Sequence, residues 1–534
     1  MAAGSGREGT GIGSSGPSGP TLDPPFGLEY NYMIVLGVRQ LAERRLKGCR
    51  NDSAANLRPD FPGPEKQISR LREGSTMSRR GSNDLTTGNI YKSIILFALP
   101  ILASHILQNL YHSVDSIVVG NNVGTTALAA VSSCTDISAL LTGFFTGLSI
   151  GAGVLFARYY GAKDQKNLHD SIHTALTFSV ILGTCMAVIG VLVTPLLLKI
   201  VGCPEDVWPE ALDYLRIYFI GVLFTAIYNV GAGVLRAVGD SIDPFIFLLI
   251  SSSLNIVLDL ITVIWFGMGV IGVAVATIIS QFVSVALVFG KMLRTDDIYR
   301  IDLKDMHIDP SLLKEVIRLG IPSAIQSSLL SLSNLFVQRY LNSFGSVAMA
   351  GSGAAKKVDK FIGMVGQSIG QATAPYVSQN IGARNYRQVR DGIKATFVIS
   401  LVTLAVMMGL VYGFSDTLIG FFTKDPDALY YGMWMLHVLV PFYVCQNLNQ
   451  ILSNVVRGYG RSSAVMLLSL SGMVGMRQLF LNIAMRQNYV ISNVFLAYPV
   501  GWASAGLFVC IYYLVNRKKL IEKAFGNVNE RSPK

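Results

Sequence analysis

Twelve long apolar blocks follow one another between residues 91 and 515, at about 91–119, 127–156, 171–198, 211–235, 244–266, 269–293, 313–342, 348–375, 393–415, 430–456, 463–484 and 489–515. A run of 18 or more apolar residues is long enough to cross a bilayer as a helix. The spacing therefore predicts an all-α integral membrane protein with twelve transmembrane helices. Composition agrees: 51% of residues are hydrophobic and only 14% are charged, against about a quarter charged in soluble domains.

Net charge is +11, yet nothing points to nucleic acid, because Lys and Arg sit mostly in short loops between apolar blocks. Loops and termini on one side hold, among others, Arg79, Arg158, Lys163, Arg294, Arg384, Arg461 and Lys519. The other side holds only Lys199, Arg339, Lys424 and Arg486, or a few more if Lys356, Lys357 and Lys360 are counted there. The bias places both termini in the cytoplasm, in a multi-pass protein of a plasma (inner) membrane. Six scattered cysteines show no paired or metal-binding spacing.

Residues 1–76 begin Gly/Ser/Pro-rich and read as a disordered or spurious extension, with Met77 as the expected natural start. Residues 77–300 are expected to form a first lobe (helices 1–6). Residues 301–520 form a second (helices 7–12), and residues 521–534 a cytoplasmic tail.

The chain repeats itself. "RYYGAKDQKNLHDSI" (Arg158 to Ile172) is echoed by "QNIGARNYRQVRDGI" (Gln379 to Ile393) at an offset of 221, and "VLRAVGDS" (Val234 to Ser241) by "VVRGYGRS" (Val455 to Ser462). Pro100 and Pro322 correspond one residue out of phase. Six helices per repeat is an even number, so both halves share one orientation. They are expected to be two six-helix lobes related by a pseudo-twofold along the membrane normal, with binding between them, an architecture of transporters.

Carboxylates inside such helices need a reason. Asp115 lies near the outer end of helix 1. Asn255 and Asp259, four apart, share a face of helix 5. Thr277 lies eight residues into helix 6. By helix rise Asp115, Asp259 and Thr277 fall within about 7–12 Å of the outer surface, and Asn255 lies one turn from Asp259 in the same outer half. A charged side chain at membrane depth costs about 2.5–3.5 kcal/mol or more. Local hydroxyls (Ser113, Ser116, Thr262) offer a purely structural explanation. Carboxylate, amide and hydroxyl oxygens also suit a hard cation, and a desolvated acid pair suits a shared proton.

Other intramembrane polar residues divide between packing and lining a cavity. His112 lies three residues before Asp115. Lys356, Lys357, Asp359 and Lys360 open helix 8, where the lysines can snorkel and Asp359 can pair with Lys356. Arg477 reads as an anchor inside helix 11. Gln326, Asn447 and Asn449 are candidates for the substrate cavity, Asn447 and Asn449 equally for interhelical hydrogen bonds.

"LQNLYHSVDSIVVGNNVGTTALAAV", "GAKDQKNLHDSI", "LRAVGDS", "GQATAPYVSQNIGARN" and "VVRGYGRS" resemble motifs of the multidrug and toxic compound extrusion (MATE) transporters over roughly residues 90–520. The resemblance implies two six-helix lobes around a V-shaped cavity, and export of organic, often cationic, drugs or metabolites in exchange for Na⁺ or H⁺. It places the ion-coupling residues on Asp115, Asn255, Asp259 and Thr277. One branch of the family carries acids on helices 7 and 10; here helix 7 has Gln326, Asn334 and Gln338, and helix 10 has no acid. The chain thus looks like the branch coupled through the first lobe (DinF-like). No cofactor beyond the coupling ion, no enzyme activity and a monomer are expected. A lipid-linked precursor flippase of the same fold is the alternative, supported by Arg477 and the helix 8 lysines.

Overall fold

The computed structural model describes residues 85–526, so the extension 1–76 and the end of the tail lie outside the described residues. Twelve long helical rods account for nearly all of it. They are α1 (Ile90–Asn122), α2 (Thr125–Gly161), α3 (Gln165–Val201), α4 (Trp208–Ala237), α5 (Ile242–Trp265) and α6 (Gly269–Arg294) in the first lobe. The second lobe holds α7 (Pro310–Asn342), α8 (Ser346–Gly382), α9 (Tyr386–Gly413), α10 (Pro426–Gly458), α11 (Ser462–Gln487) and α12 (Ile491–Phe525). Ten are apolar and long enough to cross a membrane by composition alone. The exceptions, α7 and α8, are the rods richest in serine and lysine.

Several helices outrun their apolar blocks. The block at 348–375 belongs to a helix that continues to Gly382, and those at 171–198 and 393–415 to helices that begin at Gln165 and Tyr386. The extra first turns of α3 and α9 are polar and are started by side-chain caps. Asp164 accepts from the Asn167 amide and Asn385 from the Gln388 amide, each at 3.2 Å. These caps satisfy amides that the first turn leaves orphaned.

The repeat is written into the backbone. Gly124 and Gly345, Lys163 and Arg384, and Gly239 and Gly460 are pairs 221 apart, and all six residues have positive φ. Lys163 and Arg384 both take φ 54°, a conformation non-glycine residues rarely adopt.

The lobes meet along a seam on the side that carries the basic loops. Ser378 Oγ donates to Val154 O at 2.6 Å, Gln379 Nε2 to Ala237 O at 2.6 Å, and Asn380 Nδ2 to Leu85 O at 3.1 Å. Nearer mid-depth, Gln371 Nε2 lies 3.2 Å from His105 Nε2, and Ser328 Oγ donates to Leu140 O at 3.4 Å. Ile94, Phe97 and Ile101 of α1 pack in one cluster with Ile369 and Tyr376 of α8 and Val455 of α10. Two close approaches are reciprocal. A Cβ on Gly161 would collide with Gln379 O, and one on Gly382 with Arg158 O. The connector between lobes is stapled to α3: Asp302 N donates to His173 Nε2 at 3.1 Å and Asp309 N to Thr174 Oγ1 at 3.0 Å.

Candidate functional site

In the first lobe, α1, α5 and α6 bring Asp115, Asn255, Asp259 and Thr277 into the protein interior, exposed by only 5%, 2%, 0% and 7%. Asp115 stands seven residues from the end of α1 and Asp259 six from the end of α5, so both lie about 10 Å below the surface opposite the basic loops. The carboxyl groups of Asp115 and Asp259 lie within hydrogen-bond reach of one another. Apart from that facing carboxyl, neither oxygen of Asp259 has a hydrogen-bond partner, and both amide atoms of Asn255 are buried without one.

Two of the local hydroxyls are engaged elsewhere. Ser113 Oγ donates to Asn109 O at 3.0 Å and Thr262 Oγ1 to Leu258 O at 2.9 Å. Thr277 Oγ1 donates to Val273 O at 2.9 Å, which leaves its lone pairs free to accept. The donor set therefore fits a hard cation: carboxylate, amide and hydroxyl oxygens, with buried polar atoms that the protein itself does not satisfy. The same acid pair fits a shared proton. Immediately after Asp259, α5 relaxes into a π-helical turn, Ile261–Trp265, a feature that recurs at functional sites.

A cavity with about 590 Å³ of empty space, partly open to solvent, leads to this cluster from within the lobe. Asn255 and Thr277 line it, with Tyr111, Tyr218, Asn229 and Gln281.

The residues expected in the substrate cavity do not gather in one place. Asn447 lines a separate space of about 370 Å³ between α8, α9 and α10, and its Oδ1 accepts from Ser400 Oγ at 2.6 Å. Asn449 does not line that space. It faces α11, where its Oδ1 accepts from Ser469 Oγ at 3.3 Å. Two residues apart on a helix means about 200° of rotation, so these asparagines could not share a wall. Gln326 is buried and accepts from Arg457 Nη2 at 2.6 Å, a clasp within the second lobe. The side chain of His112 lies outside what the structure describes.

The helix 8 lysines sit deeper than their sequence position implies. They do not cap a helix end: α8 begins at Ser346, so Lys356 lies ten residues in, about 15 Å below the surface. Lys356 Nζ donates to Gln338 Oε1 of α7. Asp359 lies beside Lys356 and the Tyr443 hydroxyl. Arg477 follows a second π-helical turn, Ser471–Met476. Its Nη1 donates to Asn334 Oδ1 at 2.9 Å and its Nη2 to Ser333 Oγ. These partners lie on three helices, so one-dimensional spacing could not reveal them.

Twelve membrane helices in two pseudo-equivalent lobes, seamed on one side and hollowed by polar cavities, define a membrane transporter of the two-lobe class. The comparisons specify it. The MatE family model matches residues 100–261 and again 322–481. Probable multidrug resistance protein YoeA of Bacillus subtilis (strain 168) is 31% identical over 447 residues, 82% of this chain and 96% of that protein. The B. subtilis (strain 168) probable multidrug resistance protein YpnP is 28% identical, covering 80% and 98%. A MATE crystal structure in the bent conformation superposes with a TM-score of 0.77 at 22% identity, over 82% of this chain and 98% of that one. The chain belongs to the MatE family of transporters.

Proposed function

We propose that this protein is an ion-coupled exporter of small organic compounds, drugs or metabolites, across the plasma membrane, working by alternating access. Its similarity to proteins named for multidrug resistance supports the export of drugs. The observation that carries the coupling is the meeting of Asp115 and Asp259 beside an Asn255 amide that has no partner. Two acids in contact cannot both stay ionised in a dry site without a counter-charge. Such a pair must take up Na⁺ or a proton, and can release it when the lobe opens to water.

In the state described here the lobes are sealed on the basic side, which the loop charges assign to the cytoplasm. Ion loading at the first lobe from the opposite side would accompany release of cargo there. The cycle then reopens the basic seam, discharges the ion and admits new cargo. A cationic cargo finds its support in the same two acids, and would compete with the ion for them. The test is substrate binding with Na⁺ raised at fixed pH, then with pH lowered at zero Na⁺. Weakening by either supports competition for the acids; indifference to both contradicts it.

The flippase alternative rests on Arg477 and the lysines of α8, the cations of the second lobe.

A further inference from the structure

The internal repeat allows the two lobes to be compared with each other. Thr277 of α6 corresponds, 221 residues on, to Tyr498 of α12, and Asn255 of α5 has Arg477 of α11 222 residues on. The second lobe thus puts a cation and an aromatic ring where the first puts its ion cluster, and at a similar depth. Arg477 Cζ lies 5.6 Å from the centre of the Tyr498 ring, and Lys356 Nζ lies 6.0 Å from the same ring. Two cations converging on one ring gain some cation–π attraction, but the ring itself brings no formal negative charge.

The charge balance is lopsided. The interior stretches of α8 and α11 carry Lys356, Lys357, Lys360 and Arg477 against one carboxylate, Asp359. Asp359 lies beside Lys356 and its Oδ1 is buried without a partner. Arg477 is 3% exposed, its hydrogen bonds go to a neutral amide and a hydroxyl, and its Nε is buried without a partner. Among the described residues no carboxylate forms an ion pair with it. Lys360 is exposed, one turn from Met364, whose sulfur meets Asn109 of α1; it therefore lies on the face of α8 turned toward the first lobe.

A guanidinium held this deep in a membrane without a counter-ion is costly, and such residues mark substrate paths. The first lobe has no equivalent need, since its acids take their counter-charge from the coupling ion. We propose that the second lobe is an anion-recognition site. Arg477 and Lys356, approached past Lys360, bind an acidic group (carboxylate, sulfonate or phosphate) on the transported compound, whether or not that compound also carries a cation. Arg477 supplies the planar fork that such groups match. The π-helical turn before it supplies the freedom to present that fork: conversion to α-helix shifts the register by one residue and turns Arg477 by about 100°. This deepens the exporter reading and rests on it for the word "transported".

The experiment uses the full chain in phosphatidylcholine nanodiscs and three probes that differ in charge: dansyl-glycine, its methyl ester and dansyl-cadaverine. The carboxylate should bind at least tenfold tighter than the ester. Arg477→Gln and Lys356→Gln should bring it down to the ester's affinity while leaving ester binding unchanged, which shows the fold intact. Arg477→Lys should retain much of the preference. Adding phosphatidylglycerol to the nanodiscs should compete with dansyl-glycine if the natural acid is a lipid headgroup, and not if it is a soluble compound. Dansyl-glycine binding no tighter than its ester, or a preference that survives Arg477→Gln, overturns the proposal. Gradient-driven efflux of the same probes from proteoliposomes is read separately. Its absence for all three sinks the exporter reading without touching the anion preference.

Discussion

At the scale of single residues, the molecule separates two kinds of buried acid. Asp259 is exposed by 0% and holds no local donor, so its place in the fold makes sense through an exchangeable partner. Asp240 is a structural acid in the α4–α5 loop. Its Oδ1 accepts from the Ile242 and Asp243 amides at 3.1 and 3.0 Å. Burial nonetheless pushes its carboxyl up to about 6. A raised carboxyl favours the folded state while protonated, so its contribution is full below about 4, falls away as pH rises through about 6, and is absent above. Asp240→Asn keeps the cap and removes the ionisation. Thermal unfolding in detergent should show this variant gaining on the wild type from about pH 4 to 6 and then holding a constant lead, at most about 3 kcal/mol. A lead that shrinks with rising pH would contradict the assignment.

At the scale of elements, α2 and α8 carry the seam. Their basic-side ends touch through backbone at Gly161 and Gly382, where a methyl group meets a carbonyl oxygen. Gly382→Ala should therefore favour states with this seam parted. Spin labels at Lys166→Cys and Arg387→Cys, on a background lacking the native cysteines, should report a longer distance population in the variant. An unchanged distribution would show that the contact does not hold the seam. Elsewhere, Asn447→Ala opens the space between α8, α9 and α10 and frees Ser400. It should change by several-fold which compounds are moved, while their dependence on an ion gradient stays as in the wild type. Loss of that dependence would argue against coupling confined to the first lobe.

Much of this was legible from residue order. Apolar block length gave the twelve rods, and the offset of 221 recurs in the paired positive-φ residues. The four-residue spacing put Asn255 and Asp259 on one face. Apolar length does not record the starts of α3 and α9, because their first turns are polar and capped by Asp164 and Asn385. The opposed faces of Asn447 and Asn449 follow from their two-residue spacing. The clasp of Arg477 with Ser333 and Asn334, and the shared ring of Tyr498, depend on how α7, α8, α11 and α12 pack, which no single stretch of sequence contains.

At the scale of the whole molecule, two lobes descended from one pattern differ in sign: acids in the first, mostly cations in the second. The account requires the first lobe to hold the exchangeable ion, and this can be measured directly. Reconstituted protein is given an imposed Na⁺ gradient or an imposed pH gradient, one at a time, and concentrative efflux of a fluorescent organic substrate is followed for the wild type, Asp115→Asn and Asp259→Asn. One gradient should drive the wild type. Neither should drive either variant above about a tenth of that rate, although both variants remain folded. Gradient-driven efflux at wild-type rate in either variant would contradict coupling through these carboxylates.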